Sequence, residues 1–349
     1  MLLQEQVPLA PRTTLGVGGA ARWFAEVDTE DSLVEAVQLA RERSLPLFVL
    51  GGGSNLVVAD EGFPGLVVHI ALRGVTQAED RFSVAAGENW DEFVSCAVAL
   101  NFGGVECLAG IPGTVGGTPV QNVGAYGQEV SATIEQVRVL DLNTLHFVDM
   151  PSPACEFAYR RSLFNSRERG RYVVTGVVYR LVQGAAPHLA YADLQRYFRG
   201  RGETATLGET AAAVREIRHG KGMLLVNGEP DCRSAGSFFK NPIVAQAIYD
   251  RIAAEAETPP PCYPDQPGFV KIPAAWLLEQ AGFHKGFAME RAGISSRHTL
   301  AIINRGGATT REIVVLWDCI VARVEEKFRI RLQPEPVWVG PNRPGAAAA

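Results

Sequence analysis

One segment of the chain, residues 110–130, combines glycine and proline at a density that excludes regular secondary structure. Its sequence is Gly-Ile-Pro-Gly-Thr-Val-Gly-Gly-Thr-Pro-Val-Gln-Asn-Val-Gly-Ala-Tyr-Gly-Gln-Glu-Val, with neither Lys nor Arg. Glycine and proline are the poorest helix formers, and the segment is too apolar for a solvated linker. Glycines allow backbone N–H groups to approach a large ligand closely. The composition is compatible with a ligand-binding loop and equally with a tightly packed structural loop.

Length and composition indicate a folded protein of two or three domains. The 349 residues are 47% hydrophobic and 20% charged, as is typical of globular domains. The formal net charge of −5 argues against a broad nucleic-acid-binding surface. No apolar run reaches the length of a membrane span, and the first residues lack the basic-then-apolar order of a signal peptide. We therefore expect a cytoplasmic protein that binds neither nucleic acid nor membrane.

The six cysteines are widely spaced along the chain. None forms a C-x-x-C pair, so neither a zinc site nor a redox dithiol is predicted, and no metal is expected. We expect buried free thiols in a reducing compartment. The cysteines are Cys96, Cys107, Cys155, Cys232, Cys262 and Cys319.

Residues 13–21 contain a loose G-x-G-x-x-A pattern that could be taken for a dinucleotide-binding fingerprint. That mechanism requires a strand before the glycines and a helix after them. Here no apolar strand precedes, and the residues that follow, 22–27, have strand composition. The pattern is therefore rejected as a Rossmann motif.

A second glycine cluster directly follows a predicted strand, residues 47–50. It reads Gly51-Gly52-Gly53-Ser54-Asn55, without the Gly-Lys-Ser/Thr of a Walker loop. Consecutive glycines after a strand can form an anion-binding nest of backbone N–H groups. A phosphate contact is favoured here over a purely structural turn.

Hydrophobic periodicity and capping residues predict the regular elements. Thr29 is predicted to cap a helix, and Thr309 with Glu312 forms a capping box before another. Predicted helices cover residues 30–43, 90–100, 211–218 and 274–280, and a long one follows residue 309. Predicted strands cover residues 22–27, 47–50, 66–70, 137–142, 145–148, 172–181 and 299–304.

Several polar residues stand out for their surroundings. Arg160 and Arg161 are flanked by aromatic residues, which is compatible with a surface pair or with an arginine held rigidly to bind an anion. Arg218, His219 and Lys221 form a basic cluster at the end of a predicted helix. That cluster is ordinary for a helix C-terminus, but a diphosphate could also bind there.

Two further candidates lie near the C-terminal end. Ser237 follows small residues and precedes Phe238 and Phe239; it is compatible with a turn residue or with a hydroxyl that donates a proton, and no G-x-S-x-G elbow marks it as a nucleophile. Glu335 lies between two prolines, which hold it in extended backbone. A surface glutamate on an edge strand is the alternative interpretation.

These motifs, taken in order, resemble those of the UDP-N-acetylenolpyruvoylglucosamine reductase (MurB) family of flavoenzymes. The resemblance covers residues 11–340. It rests on Leu-Gly-Gly-Gly-Ser-Asn at 50–55, Gly-Ile-Pro-Gly-Thr-Val-Gly-Gly at 110–117, Gln-Asn-Val-Gly-Ala-Tyr-Gly at 121–127, Tyr-Arg at 159–160, Gly-Ser-Phe-Phe-Lys-Asn-Pro at 236–242 and Pro-Glu at 334–335.

The resemblance implies an α+β fold with a two-lobed FAD-binding domain of the vanillyl-alcohol-oxidase (PCMH) type and an α+β substrate-binding domain. The FAD-binding domain would cover residues 1–185, with lobes at about 1–66 and 67–185. Residues 186–204 would be a loop or linker. Residues 205–332 would bind substrate, 333–340 would form a strand returning to the site, and 341–349 would be a tail.

The resemblance also implies the chemistry. NADPH would reduce a non-covalently held FAD and leave. Flavin N5 would then deliver hydride to the enolpyruvyl group of UDP-N-acetylglucosamine enolpyruvate in peptidoglycan precursor synthesis. Ser237 matches the proton donor, and Arg160 and Glu335 match the pair that stabilises the enol form of the substrate. The enzyme is expected to be a monomer with these two small-molecule partners.

The binding residues are transferred by the same resemblance. For substrate they are Tyr126, Tyr191, Arg218, Lys221 and Asn241. For FAD they are Gly51, Gly52, Gly53, Ser54, Asn55, Ile111, Pro112, Gly113, Thr114, Gly116, Gly117, Gln121 and Gly124. Tyr191 places the chain in the branch of the family whose inserted loop closes over substrate.

The chain departs from the family pattern at three points. The segment between Lys221 and Ser237 is longer than in many members. Arg233-Ser234 replaces the usual Gly-Asn, and Val337 stands where some members carry a flavin-contacting Arg.

Two alternative functions are an FAD-dependent oxidase of an alcohol or hydroxy acid on the same fold, and a non-catalytic flavin- or nucleotide-sugar-binding module.

Overall fold

The computed structural model describes residues 1–200, 205–341 and 343. The chain folds into two compact units. The first contains Met1–Val7, Ala21–Gly53 and Pro64–Gly220, and the second contains Pro8–Ala20, Ser54–Phe63 and Lys221–Ala349. Residues 201–204 of the predicted linker, and residues 342 and 344–349 of the predicted tail, lie outside the described residues.

The regular elements of the described residues combine helices with mainly antiparallel strands, which is consistent with an α+β fold. The helices are α1 (Glu30–Glu42), α2 (Trp90–Ala99), α3 (Ala192–Phe198), α4 (Leu207–Gly220), α5 (Gln246–Glu255), α6 (Ala274–Gln280) and α7 (Thr310–Phe328). The strands are β1 (Leu3–Pro8), β2 (Ala20–Val27), β3 (Leu47–Leu50), β4 (Leu56–Val58), β5 (Phe63–Ile70), β6 (Val75–Ala78), β7 (Arg81–Ala85), β8 (Phe102–Gly103), β9 (Gly124–Ala125), β10 (Gln128–Glu129), β11 (Ile134–Asp141), β12 (Phe147–Pro151), β13 (Tyr172–Arg180), β14 (Val182–Gln183), β15 (Ile243–Ala245), β16 (Tyr263–Pro264), β17 (Phe269–Lys271), β18 (Ala288–Met289), β19 (Ala292–Ile294), β20 (Ile302–Asn304) and β21 (Val337–Val339).

The two larger sheets of the first unit have four and five strands. One has the strand order β1-β2-β5-β3, with β3 parallel to β5. The other has the order β12-β11-β13-β7-β6 and antiparallel pairing. Helix α1 begins where predicted, because the Thr29 side chain accepts a hydrogen bond from the Ser32 N–H at 3.1 Å. Its buried face carries Leu33 and Val37, which join the core of this unit.

Helix α7 is the main element of the second unit. The predicted capping box is present, since the Thr309 hydroxyl accepts from the Glu312 N–H and the Glu312 carboxylate accepts from the Thr309 N–H. The helix packs with α6, β19 and β20 in the core of this unit. The C-terminal strand β21 pairs in parallel with β4, with Val337 opposite Leu56. Both strands belong to the second unit.

Sequence reasoning placed the start of α4 too late and missed α3. Helix α4 begins at Leu207 because Thr206 and Glu209 form a capping box, with hydrogen bonds of 2.8 and 3.1 Å. Helix α3 lies in the predicted loop at residues 186–204, where the buried Leu194 fixes it to the core. The first unit thus extends to Gly220, beyond residue 185. The boundaries between cofactor- and substrate-binding domains stay a prediction.

The cysteines are free, as expected, but not all of them are buried. Cys107, Cys155 and Cys232 are buried, whereas Cys96 and Cys262 are exposed and Cys319 is intermediate. The expectation of buried thiols is therefore wrong for the exposed pair. Cys96 lies on α2, whose buried face is formed by other positions.

Among the described residues, every helix is too short or too polar to cross a lipid bilayer.

Candidate functional site

The two glycine-rich segments contact each other in the first unit. A Cβ added at Gly52 would lie 2.6 Å from the Cα atom of Gly113. A Cβ added at Gly51 would lie 2.8 Å from Oγ1 of Thr114, and Gly53 has a φ of +64°. Side chains essentially never approach backbone this closely, so only glycine fits at residue 52. The structure thus brings together two motifs that the sequence presents far apart.

The segment after Gly113 is anchored to the core on one side and open on the other. The Val115 N–H donates to the Glu88 carbonyl at 2.9 Å, and the Gly116 N–H donates to the Ala86 carbonyl at 2.8 Å. Gly117 is exposed, and a Cβ added there would meet no atom within 4 Å. A fixed loop with an open glycine surface fits a large cofactor bound through the backbone. The residues therefore fit the FAD that the resemblance implies.

Helices α2 and α4 hold Gly110, where the glycine-rich segment begins. The Gly110 N–H donates to Oδ1 of Asp91 at 2.6 Å. Its carbonyl accepts from Nε of Arg218 at 3.0 Å. Arg215 donates to both carboxylate oxygens of Asp91, at 2.7 and 3.1 Å. Sequence reasoning missed Asp91 and Arg215, because an acidic residue in the first turn of a helix is ordinary and nothing local reveals its distant partner.

Three predicted substrate residues lie together in the first unit. The ring of Tyr126 packs edge-on against the ring of Tyr191, with centroids 5.3 Å apart. Tyr126 also forms a side-chain hydrogen bond with Arg218, which is only 8% exposed. Burial lowers the pKa of the Arg218 guanidinium, while the nearby Tyr126 and Asp91 oppose that change. Arg218 thus contacts both the glycine-rich segment and the tyrosine pair.

Arg160 lies in the first unit in a constrained backbone conformation. Its φ of +53° is in the left-handed region, which is strained for a residue with a side chain and often marks functional sites. Its guanidinium lies over the ring of Tyr159, 5.7 Å from the centroid, and its carbonyl accepts from Nδ2 of Asn165 at 3.2 Å. The Nε atom of Arg160 is buried, whereas Arg161 is exposed. Of the adjacent pair, Arg160 is thus the residue with a partly buried guanidinium and a left-handed backbone.

Ser237 and Glu335 lie on neighbouring backbone segments of the second unit. The Glu335 N–H donates to the carbonyl of Phe238, the residue after Ser237, at 2.9 Å. Phe239 forms an antiparallel bridge with Pro334, and both phenylalanines are fully buried. Glu335 precedes strand β21 and is not within it. The structure therefore brings these two predicted residues together.

The remaining second-unit candidates lie outside the helices and strands. The Ser54 carbonyl accepts from the Thr14 hydroxyl at 3.3 Å, and Nδ2 of Asn55 donates to the Glu335 carbonyl at 3.3 Å. Oδ1 of Asn241 accepts from the Ala274 N–H at the start of α6, at 2.9 Å. Lys221 directly follows α4. The substrate contacts of Lys221 and Asn241 stay predictions.

The other cofactor candidates lie along the glycine-rich segment of the first unit. Ile111 packs against the core. Gly124 lies in the short β9–β10 hairpin, where a Cβ would be 2.7 Å from Cγ of Glu129. Pro112 and Gln121 lie in the irregular backbone around the turn at Val115–Gly117. Their contacts with a cofactor stay predictions.

Comparison with known proteins identifies similar chains over nearly the whole length. Residues 21–144 match the family model described as "FAD binding domain", and residues 229–339 match "UDP-N-acetylenolpyruvoylglucosamine reductase, C-terminal domain". The UDP-N-acetylenolpyruvoylglucosamine reductase of Thermobifida fusca is 45% identical, covering 96% of this chain and 98% of the relative. That of Streptomyces coelicolor is 44% identical, covering 96% and 90%.

A solved structure shares the fold. The crystal structure of the UDP-N-acetylenolpyruvylglucosamine reductase (MurB) from Thermus caldophilus superposes with a TM-score of 0.68 at 27% identity. The match covers 97% of this chain and 100% of that one. The predicted fold class is confirmed by this similarity and by the FAD-binding family model.

Proposed function

The chain belongs to the UDP-N-acetylenolpyruvoylglucosamine reductase family, and from that premise we propose how its residues carry out the reaction. It is an oxidoreductase with FAD as cofactor and NADPH as co-substrate. It reduces the enolpyruvyl group of UDP-N-acetylglucosamine enolpyruvate to the lactyl ether of UDP-N-acetylmuramate, for peptidoglycan synthesis. The observation that carries this conclusion is 45% identity to a reductase over 96% of the chain.

The glycine-rich segments of the first unit supply the proposed FAD site. The close approach of Gly52 to Gly113 and the open surface at Gly117 suit a pyrophosphate held by backbone N–H groups. FAD held there would supply the hydride-transfer chemistry between NADPH and the vinyl carbon of the substrate. The absence of Lys and Arg from residues 110–130 is consistent with binding through the backbone.

Ser237 completes the reduction by donating a proton. Addition of hydride to the vinyl terminus leaves negative charge on the carbon next to the carboxylate. That carbon accepts the hydroxyl proton of Ser237, and hydride plus proton make up the two-electron reduction. A serine hydroxyl is a weak acid, so it protonates only a strongly basic carbon held within hydrogen-bond reach.

Arg160 and Glu335 stabilise the charge that develops on the substrate carboxyl group. Fixed groups do this more effectively than water, because they need not reorganise as the charge develops. Two features support this role. Arg160 is held in the left-handed region with its Nε atom buried. Glu335 lies between prolines and is hydrogen-bonded through its backbone to Phe238.

The tyrosine pair and the basic residues bind the rest of the substrate. Tyr191 and Lys221 are assigned to the diphosphate, with Asn241 nearby, and Tyr126 and Arg218 are assigned to the same substrate. The packing of Tyr126 against Tyr191 and its hydrogen bond to Arg218 support the grouping of these three. The enzyme is further proposed to act in the cytoplasm as a monomer on these small-molecule substrates.

An anaerobic experiment tests this function. The purified yellow protein is reduced with NADPH in the absence of oxygen, and UDP-N-acetylglucosamine enolpyruvate is then added. We expect the absorbance of oxidised flavin to return in proportion to the substrate added. A flavin that stays reduced until oxygen is admitted would contradict the proposal and favour an oxidase.

A further inference from the structure

A buried carboxylate outside the predicted site accepts hydrogen bonds from two separate segments of the first unit. Oε1 of Glu106 accepts from Nε2 of Gln128 at 2.8 Å and from the His188 N–H at 3.0 Å. Oε2 accepts from the Gly104 N–H at 2.7 Å. Glu106 is 1% exposed. All these partners donate, so the set suits an ionised carboxylate.

The next residue, Cys107, binds the same two segments. Its N–H donates to Oε1 of Gln128 at 2.8 Å, and its thiol donates to the His188 carbonyl at 3.1 Å. Burial, with the charge of Glu106, raises the pKa of the Cys107 thiol, so it remains a donor at neutral pH. Together Glu106 and Cys107 satisfy both ends of the Gln128 amide and both backbone groups of His188.

The two segments joined in this way carry the two tyrosines of the proposed substrate site. Gln128 begins strand β10, just after the turn that bears Tyr126, and His188 lies shortly before Tyr191. The segments also touch directly, since a Cβ added at Gly127 would lie 2.8 Å from Nε2 of His188. The hydrogen bonds from Glu106 and Cys107 therefore hold the backbone of both segments close to the contact between the two tyrosine rings.

We propose that Glu106 is a positioning residue for substrate binding, which sets the Tyr126–Tyr191 pair by cross-linking Gln128 to His188. The proposal rests on the proposed function, because it assigns the tyrosine pair to the nucleotide-sugar substrate. Glu106 acts through Tyr191 and contacts no reacting atom. Its buried carboxylate accepts from partly buried donors, and such charge-assisted bonds are the stronger class.

The proposal is tested by the affinity of the oxidised holoenzyme for UDP-N-acetylglucosamine enolpyruvate, followed through the flavin absorbance. In Glu106→Gln an amide NH2 replaces one acceptor oxygen and faces an N–H group that can only donate. We expect the Kd to rise about tenfold, as the loss of one such bond implies, with the FAD content unchanged. Asp141→Asn is the matched control: it also converts a buried, paired carboxylate of the first unit to an amide, and its Kd should stay within about twofold.

Two further variants separate positioning from general stability. Cys107→Ala removes the donor to His188 and should raise the Kd about threefold to tenfold, while Cys107→Ser keeps a donor and should restore most of the affinity. Because Glu106 acts through Tyr191, Glu106→Gln should have little further effect on the Kd in a Tyr191→Ala background.

Three results would overturn the proposal. The Kd could be unchanged in both Glu106→Gln and Cys107→Ala, or Asp141→Asn could raise the Kd as much as Glu106→Gln does. The third is that Glu106→Gln raises the Kd by the same factor in the Tyr191→Ala background as in the unmodified enzyme. Each of these results is obtained with the unmodified enzyme still reducing the substrate, so the proposed function stands even if the role of Glu106 is disproved. Failure of the unmodified enzyme to be reoxidised by the substrate would instead contradict the proposed function.

Discussion

The backbone N–H of Glu335 donates to the carbonyl of Phe238 at 2.9 Å, which ties the segment bearing the carboxylate to the one bearing Ser237. A second bond, from the Lys240 N–H to the Gln333 carbonyl at 3.0 Å, continues the pairing. Phe238 and Phe239 anchor one segment in the core. The backbone segments that carry Ser237 and Glu335 are therefore held side by side.

Replacement of Glu335 should slow only the step in which substrate is reduced. We expect Glu335→Ala to lower the rate of flavin reoxidation by substrate about 10²- to 10³-fold, the magnitude typical of a lost transition-state contact. Glu335→Gln should be milder, because the amide keeps a hydrogen-bond donor at this position. Stopped-flow measurement of both half-reactions checks this, and equal slowing of reduction by NADPH would contradict it.

Replacement of Gly52 should weaken FAD binding. In Gly52→Ala the added Cβ would lie 2.6 Å from the Cα atom of Gly113, so one of the two backbone segments must move. We expect the Kd for FAD to rise at least about tenfold, measured by the fluorescence change when FAD is added to the apoprotein.

Gly208→Ala is the matched control for that experiment. Gly208 lies in α4, where an added Cβ meets only Oγ1 of Thr206 at 4.0 Å. Alanine is preferred to glycine in a helix by about 0.5–1 kcal/mol, so this variant should be at least as stable and bind FAD normally. An equal rise of the Kd for FAD in the two variants would show that the Gly52–Gly113 contact has no particular role in FAD binding.

Removal of the Asp91 charge should also weaken FAD binding. Asp91→Asn replaces an oxygen that accepts from Arg215 with an NH2 group, and loosens the anchor of Gly110. Hydrogen bonds to charged groups contribute about 1.5–3 kcal/mol, so we expect the Kd for FAD to rise about tenfold. Glu325→Gln, which breaks an exposed pair with Arg331, should leave the Kd unchanged. An unaltered Kd in Asp91→Asn would show that this anchor does not control the loop.

The pair between Glu30 and Arg138 should make stability depend on pH in the acid range. The hydrogen bonds from Arg138, at 2.7 and 3.0 Å, lower the pKa of Glu30 below its ordinary value near 4.5. A carboxyl group with a lowered pKa stabilises the fold above its ordinary pKa, and this contribution is lost as the pH falls through the lowered value. Because a third of the Glu30 side chain is exposed, we expect about 0.5–1 kcal/mol after screening.

Thermal unfolding of Arg138→Met across pH 3–7 tests that dependence. The difference in Tm from the unmodified protein should be largest near neutral pH and should shrink as the pH falls below 4.5. A difference that stays constant down to pH 3 would mean that lost packing of the long arginine side chain explains the effect.

Local signals in the sequence predicted the elements that begin at clear caps. Thr29 and the Thr309–Glu312 box mark the starts of α1 and α7. The same kind of box at Thr206 and Glu209 was missed because it lies in a polar stretch that resembles a linker. Helix α3 was missed for the same reason.

The candidate site was predictable as a set of motifs and not as a set of contacts. Family resemblance identified Gly52 and Gly113 individually, but their backbone contact follows from how the first unit folds. Glu106 and Asp91 carry no local signal, because a glutamate or aspartate at the start of a helical turn is ordinary. Only their distant partners, His188 and Gly110, reveal what they hold.

The measurement that tests the account most directly is the separate rate of each half-reaction in Ser237→Ala. We expect reduction of the flavin by NADPH to stay within about twofold of the unmodified enzyme, and reoxidation by UDP-N-acetylglucosamine enolpyruvate to slow by about 10³-fold or more, because alanine carries no proton to donate. Ser234→Ala, which alters a nearby buried hydroxyl, is the control and should leave both rates unchanged. Reoxidation of Ser237→Ala at the normal rate, or equal slowing of both half-reactions, would contradict the assignment of Ser237 as the proton donor.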